Sequence, residues 1–127
     1  MRYMMMMKGE EDAVMPSEAL MHAIDGYTRR MMEAGVVLEV GGLMPTASGA
    51  RLTVSGGKIT ATDRPFSEAK EVIGGYAIIQ AASREEAIEH GRSFLQLHVD
   101  VLGPEYRCAM EIRRMVDGPE DMACPGL

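Results

Sequence analysis

Three stretches of this 127-residue chain place apolar side chains at consecutive positions: Tyr3-Met4-Met5-Met6-Met7, Val36-Val37-Leu38 with Val40 beyond Glu39, and Tyr76-Ala77-Ile78-Ile79. Successive strand residues point to opposite faces of a sheet, so apolar residues in unbroken succession need both faces shielded from water. All three are too short for a membrane span and end in charged, polar or glycine residues, which makes them short strands. A chain built on such segments must form a sheet and cover it twice.

The helices available for that task number two. After Pro16, Ser17 is placed to cap a helix with Glu18 in its first turn. Leu20, Ile24, Tyr27 and Met31 follow at helical spacing until Gly35 stops it. Ser83 and Glu86 form an S-x-x-E capping box that opens a second helix, with an inner stripe of Ala87, Ile88, Gly91 and Leu95. The spacing predicts a loop from His98 to Tyr106, around Gly103-Pro104, and a last strand over Arg107 to Met115.

Between the helices, Arg51 to Val54 and Ile59 to Thr62 flank Gly56-Gly57, a hairpin signature. The register that follows pairs Val54 with Ile59 and Leu52 with Ala61 on one face, and Thr53 with Thr60 on the other. Pro65 to Glu71 reads as a short turn or a single helical turn. In order the chain is strand, helix, strand, hairpin, strand, helix, strand: an α+β chain with the split β-α-β arrangement of ferredoxin-like folds and an inserted β-hairpin. Two helices cover only one face of such a sheet. The other face calls for a second copy, so a homodimer packed sheet to sheet is the simplest expectation. One domain is expected over residues 1–116, with a loose C-terminal tail over 117–127, where no periodicity remains.

Composition narrows the classes of function. A formal charge of −6 repels a polyanion and argues against nucleic-acid binding. The 13 methionines suit irregular core gaps or an adaptable interface. Cys108 and Cys124 form no CxxC and have no histidine at ligand spacing, so neither a metal site nor a disulfide framework is expected, and a cytoplasmic location fits. No cofactor is implied, and no stretch reads as a signal peptide or membrane anchor.

The segment Asp63-Arg64-Pro65-Phe66-Ser67-Glu68-Ala69-Lys70-Glu71, followed by Ile73-Gly74-Gly75-Tyr76, resembles the YCII-related family in its D-G-P-F branch. Arg2-Tyr3-Met4, Ala34-Gly35-Val36, Gly42-Leu43, the Gly-Gly hairpin and Glu111-Ile112-Arg113 extend the resemblance over most of the chain. It implies a dimeric α+β barrel of ferredoxin-like halves. Some relatives are thought to act on small ring compounds, and some of this branch occur with extracytoplasmic-function sigma factors. The sequence departs from the motif at Arg64, which stands in place of glycine. The histidine and aspartate proposed as catalytic in another branch are not carried over: His22 lies in the corresponding helix without clear alignment, and Gly41 to Gly49 contains no acid.

Two functions from different classes compete. The first is a metal-free acid/base enzyme acting on a small organic ring compound, with Asp63 or His22 as proton carrier and Arg64 or Lys70 as anion anchor. Phe66 and Glu71 complete the candidate ligand contacts. The second is a non-catalytic small-ligand-binding or regulatory module, linked through the resemblance to sigma-factor control. Each residue also has a plainer role. Asp63 suits a backbone-capping carboxylate at a strand end; His22, Asp25 and Arg29 suit an ordinary polar helix face. His90 reads as a surface residue and Cys108 as a small core residue, while His98-x-Asp100 offers a general base or metal half-site on a loop. A pocket with an ionisable pair would favour the enzyme, and one lined by apolar side chains the binding module.

Overall fold

The computed structural model describes residues 1–9, 17–62 and 72–123. Strand β1 is Arg2–Gly9, helix α1 Glu18–Glu33 and strand β2 Val37–Gly42; the hairpin strands β3 and β4 are Arg51–Ser55 and Lys58–Thr62; β5 is Val72–Gln80, α2 Arg84–Leu102 and β6 Ala109–Arg114. The described residues form an antiparallel four-stranded sheet in the order β2-β5-β1-β6 and a separate two-stranded sheet, β3-β4. Two helices with antiparallel sheets make an α+β fold, and this order is the one a split β-α-β arrangement produces.

Local chemistry sets the helix ends. The Ser17 hydroxyl accepts from the Leu20 N–H at 3.2 Å. At the other end of α1, Gly35 takes φ 77°, and the N–H groups of Gly35 and Val36 donate to Met32 and Met31. This is a Schellman motif, which satisfies the last carbonyls and turns the chain toward β2. At α2 the Ser83 hydroxyl accepts from the Glu86 N–H at 3.1 Å, and the Glu86 carboxylate accepts from Ala82 N–H rather than from Ser83 itself.

Helix α2 runs to Leu102 and stops at Gly103, so the expected loop over His98 to Tyr106 begins five residues too early. The reason is packing: the buried stripe Ala87, Gly91, His98 continues at helical spacing, with a histidine in an apolar role. Gly91 lets α2 approach the sheet closely, since a Cβ there would stand 2.9 Å from Met110 Sδ and 3.0 Å from Ile112 Cδ1.

The sheet has one covered and one uncovered face. Met5 pairs with Ala77 and Ile112, and Tyr3 pairs with Ile79. These side chains meet Ala87 of α2 in a core containing Tyr3, Met5, Ile79, Ala81 and Ala87. Met4 pairs with Ile78 and Met6 with Tyr76, on the face away from the helices, where both methionines are half-buried. The second strand differs from its expected double burial. β2 is an edge strand with a bulge at Leu38, and Leu38 and Val40 are 48% and 42% exposed. An edge position supplies one neighbouring strand instead of two, and a bulge turns a side chain out of the ladder.

Past β6, the Arg2 guanidinium bonds the Asp117 carboxylate at 2.8 Å, Arg114 reaches Asp121 at 3.3 Å, and Pro119–Ala123 forms a 3-10 turn. Asp117 has a pKa below the ordinary carboxylate value, chiefly through the Arg2 hydrogen bond. A lowered folded pKa contributes stability above the unfolded value, and that stability is lost as pH falls through the folded one. The Arg2 Nε–H, which donates to the Asp117 carboxylate at 2.8 Å, should therefore keep its exchange protection at neutral pH and lose it on acidification through the carboxylate range. Protection unchanged well below that range, followed by NMR, would show that Arg2 does not hold this segment.

Candidate functional site

The chain from the end of β2 to the start of β3 folds on itself. The Leu43 N–H donates to Gly74 at 3.0 Å, and the carbonyl of Pro45 accepts from both the backbone N–H and the hydroxyl of Ser48. This loop walls a trough of about 450 Å³, closed on the other side by Val72 and Ile73 of β5 and lined also by Leu43, Met44, Pro45 and Arg51. Among its described lining residues Arg51 is the one charged side chain, and none is a carboxylate, histidine or cysteine. Largely apolar walls that also carry the Thr46 and Ser48 hydroxyls and a guanidinium suit a small, largely apolar molecule with an anionic or hydrogen-bonding group.

Of the residues singled out from sequence, Asp63, Arg64, Phe66, Lys70 and Glu71 lie outside the described residues. The residues on either side of them are described. Thr62 pairs with Arg51, and Val72 is itself part of the lining. His22, Asp25 and Arg29 are exposed on α1, and no hydrogen bond joins His22 to Asp25 among the described residues.

The H-x-D pair is separated by the helix it turns out to occupy. His98 is 5% exposed, its Nδ1 lies 2.9 Å from the Phe94 carbonyl, and its ring sits edge-on to Phe94 and stacks on Tyr106. Asp100 is exposed and accepts from Gln96 Nε2 at 2.9 Å. Residues two apart on a helix do not share a face, so the pair offers no joint base or metal half-site. His98 instead belongs to an aromatic row, Tyr27-Phe94-His98-Tyr106, that ties both helices to the strand-leading loop.

Cys108 is half-buried just before β6, and it is the second cause, after burial, of the upward pKa shift of Tyr106. His90 is half-buried rather than a surface residue. Its Nε2 has no hydrogen-bond partner among the described residues, and the Glu86 carboxylate stands 3.9 Å away. No group of three His, Cys, Asp or Glu side chains among the described residues could hold a metal ion.

Sequence reading missed a polar pair on the uncovered face. Tyr76 donates its hydroxyl to the Glu39 carboxylate at 2.9 Å, and that hydrogen bond raises the tyrosine pKa. The ring lies across Gly41, where a Cβ would come within 2.6 Å of it. A glycine opposite a tyrosine on paired strands is a readable signal once the register is known, and the register is not local.

The fold and the trough together define a small α+β protein with an apolar recess beside an inserted hairpin. The chain belongs to the YCII-related family: the model of the YCII-related domain matches residues 1–93. It is 36% identical over 75 residues to an uncharacterised protein, R00369, of Rhizobium meliloti (strain 1021), a match covering 59% of this chain and 60% of that one. The match thus spans three fifths of that relative's length. Among solved structures, a divalent cation tolerance protein (Cut A1) from Thermus thermophilus aligns over 96% of this chain and 91% of its own, at 13% identity and a TM-score of 0.35. A likeness that slight carries no argument about fold or function. Among the described residues no helix is long and apolar enough to cross a membrane.

Proposed function

We propose that this YCII-related protein is a homodimeric small-ligand-binding module whose ligand lies in the trough between the β2–β3 loop and β5. The observation that carries the reading is the lining: mostly apolar side chains with the Thr46 and Ser48 hydroxyls and one guanidinium, and no acid/base pair among the described residues. Such a wall recognises shape and a few polar groups, and none of its described side chains is the proton carrier an acid/base enzyme needs at the ligand. The enzyme reading keeps the support of the motif residues Asp63, Arg64, Phe66, Lys70 and Glu71, which precede the lining residue Val72 in sequence.

Calorimetric titration with small aromatic carboxylates and their uncharged amides tests the choice. The carboxylates should bind more tightly, and Arg51→Ala should weaken them about tenfold or more while leaving the amides nearly unchanged, the scale of a charge-assisted hydrogen bond. Equal binding of both ligand classes by the native chain, or carboxylate binding that Arg51→Ala leaves intact, would remove the guanidinium from the site. Turnover of any of these compounds that Asp63→Asn abolishes would replace the binding reading with the enzyme reading.

The dimer rests on surface. A standard interface takes about 800 Å² from each partner. Met4, Met6, Ile78 and Tyr76 present the apolar face on which such a partner would sit, in the manner of a dimeric α+β barrel.

A further inference from the structure

The loop wall of the trough springs from the last residues of β2. Gly41 and Gly42 pair there with Tyr76 and Gly75 of β5, the Leu43 N–H donates to Gly74 at 3.0 Å, and the lining begins at Leu43 itself. The glycines bring no side chains to this junction. Tyr76 supplies what they lack. Its ring lies over Gly41, so near that a Cβ there would stand 2.6 Å from it, and its hydroxyl donates to the Glu39 carboxylate at 2.9 Å. The side chain thus leaves β5, crosses the backbone of β2 and is tied to β2 two residues before the glycine. Gly41 is not among the glycines with positive φ, so it serves close approach and not a turn.

We propose that Tyr76 and Glu39 form a clasp that positions the wall of the trough over residues 43–50, and that ligand affinity depends on it. Neither side chain is part of the described lining, so both act through Gly41 and Leu43 as positioning residues. The wall needs such help because Leu43 and Met44 are 53% and 78% exposed, and side chains with little apolar burial hold a loop weakly. A ligand that requires the wall in place loses affinity in proportion to the chains in which it is displaced. The clasp itself is a charge-assisted hydrogen bond. Glu39 holds the proton on Tyr76 and raises the tyrosine pKa above its ordinary value, so the donor stays in place at neutral pH. The affinity half of the proposal rests on the trough-binding reading; the clasp does not.

Amide exchange at Leu43 without ligand, and calorimetry with benzoate and benzamide, test the two halves separately. Tyr76→Phe keeps the ring over Gly41 and removes only the donor, so the variant should fold. Its Leu43 amide should exchange about fivefold faster, the scale of one net hydrogen bond. Glu39→Ala should match it, and the double variant should lose no more than either, because all three remove the same bond. Glu39→Gln keeps a neutral acceptor and should restore most of the protection. In that variant ultraviolet titration should show one tyrosine ionising at lower pH than in the native chain, a change that a simple packing role would not produce. Benzoate affinity should fall about threefold in Tyr76→Phe and Glu39→Ala, in step with the displaced fraction, and recover in Glu39→Gln.

Leu43 exchange that Tyr76→Phe leaves at the native rate overturns the clasp. Additive losses in the double variant overturn it as well, since they would mean that the two residues act separately. Faster exchange with native benzoate affinity overturns the dependence of binding on the clasp. A native chain that binds neither benzoate nor benzamide removes the trough reading and the affinity half with it, while exchange at Leu43 still decides the clasp.

Discussion

Met5→Asp is expected to abolish the fold, whereas Met6→Asp, one residue away, is expected to leave a folded monomer. Met5 is 5% exposed beneath α2, packed with Tyr3, Ile79 and Ala87, and no cation or hydrogen-bond donor belongs to that cluster apart from the Tyr3 hydroxyl. An uncompensated charge there costs about 3–5 kcal/mol, against a total stability of about 5–15 kcal/mol for a domain. Met6 points the other way, pairing with Tyr76 and Glu111 on the uncovered face. In the single chain an aspartate at this position keeps its water; it loses that water only when a second sheet covers it. Far-ultraviolet circular dichroism and sedimentation on both variants give the answer. A folded Met5→Asp would refute the core assignment, and a normal Met6→Asp dimer would refute sheet-face association.

The second large effect is expected at Ile79. Its side chain is 2% exposed, and its strand is flanked on both sides, with Tyr3 its partner in β1 and Val37 its partner in β2. Ile79→Ala leaves a cavity bounded by two neighbouring strands, which limits how far the site can collapse, and should cost about 2–5 kcal/mol. The same change at Ile78 removes a half-buried side chain from the uncovered face and should cost the dilute protein less. Urea denaturation of both variants provides the comparison. Equal losses at the two positions would contradict the division of the sheet into one covered and one open face.

How much of this can be read from sequence depends on how local the cause is. Ser17, Gly35, Ser83 with Glu86, and Gly56-Gly57 act within a few residues, and each marks the helix end or turn expected of it. The hairpin register is legible for the same reason, since the turn fixes every pair out to Arg51 and Thr62. The continuation of α2 through His98 is not. A histidine and an aspartate before a Gly-Pro resemble a loop, and what keeps His98 helical is burial against Phe94 and Tyr106. Strand order has no local signal either, so the apolar succession of β2 suggests an inner strand where the fold has an edge.

The candidate site is legible to a smaller degree. Sequence draws attention to residues 63–71, the most motif-like segment. The described walls of the trough come from elsewhere: a loop without acids, the first residue of a hairpin strand and the start of β5. None of these is distinctive alone. Arg51 reads simply as a strand end, and its place beside Val72 and Ile73 depends on the Leu43–Gly74 hydrogen bond that folds the loop back. Motif reading finds unusual residues, whereas a recess made of ordinary ones emerges only when the chain is assembled.

The glycines where β2 and β5 run out together bear on how that recess can be entered. Gly42 faces Gly75, and Gly41 and Gly74 adjoin them, so this end of the ladder is backbone against backbone, interlocked by the Tyr76 ring laid over Gly41. Glycine also regains more conformational freedom than any other residue when a strand frays, and openings of this kind begin where apolar contacts are fewest. The edge of the sheet bordering the trough is therefore its most compliant seam. If it parts and reseals while the Tyr3, Met5 and Ile79 core remains closed, amide exchange at Gly41, Gly42, Gly74 and Gly75 should run ahead of exchange at Met5 and Ile79.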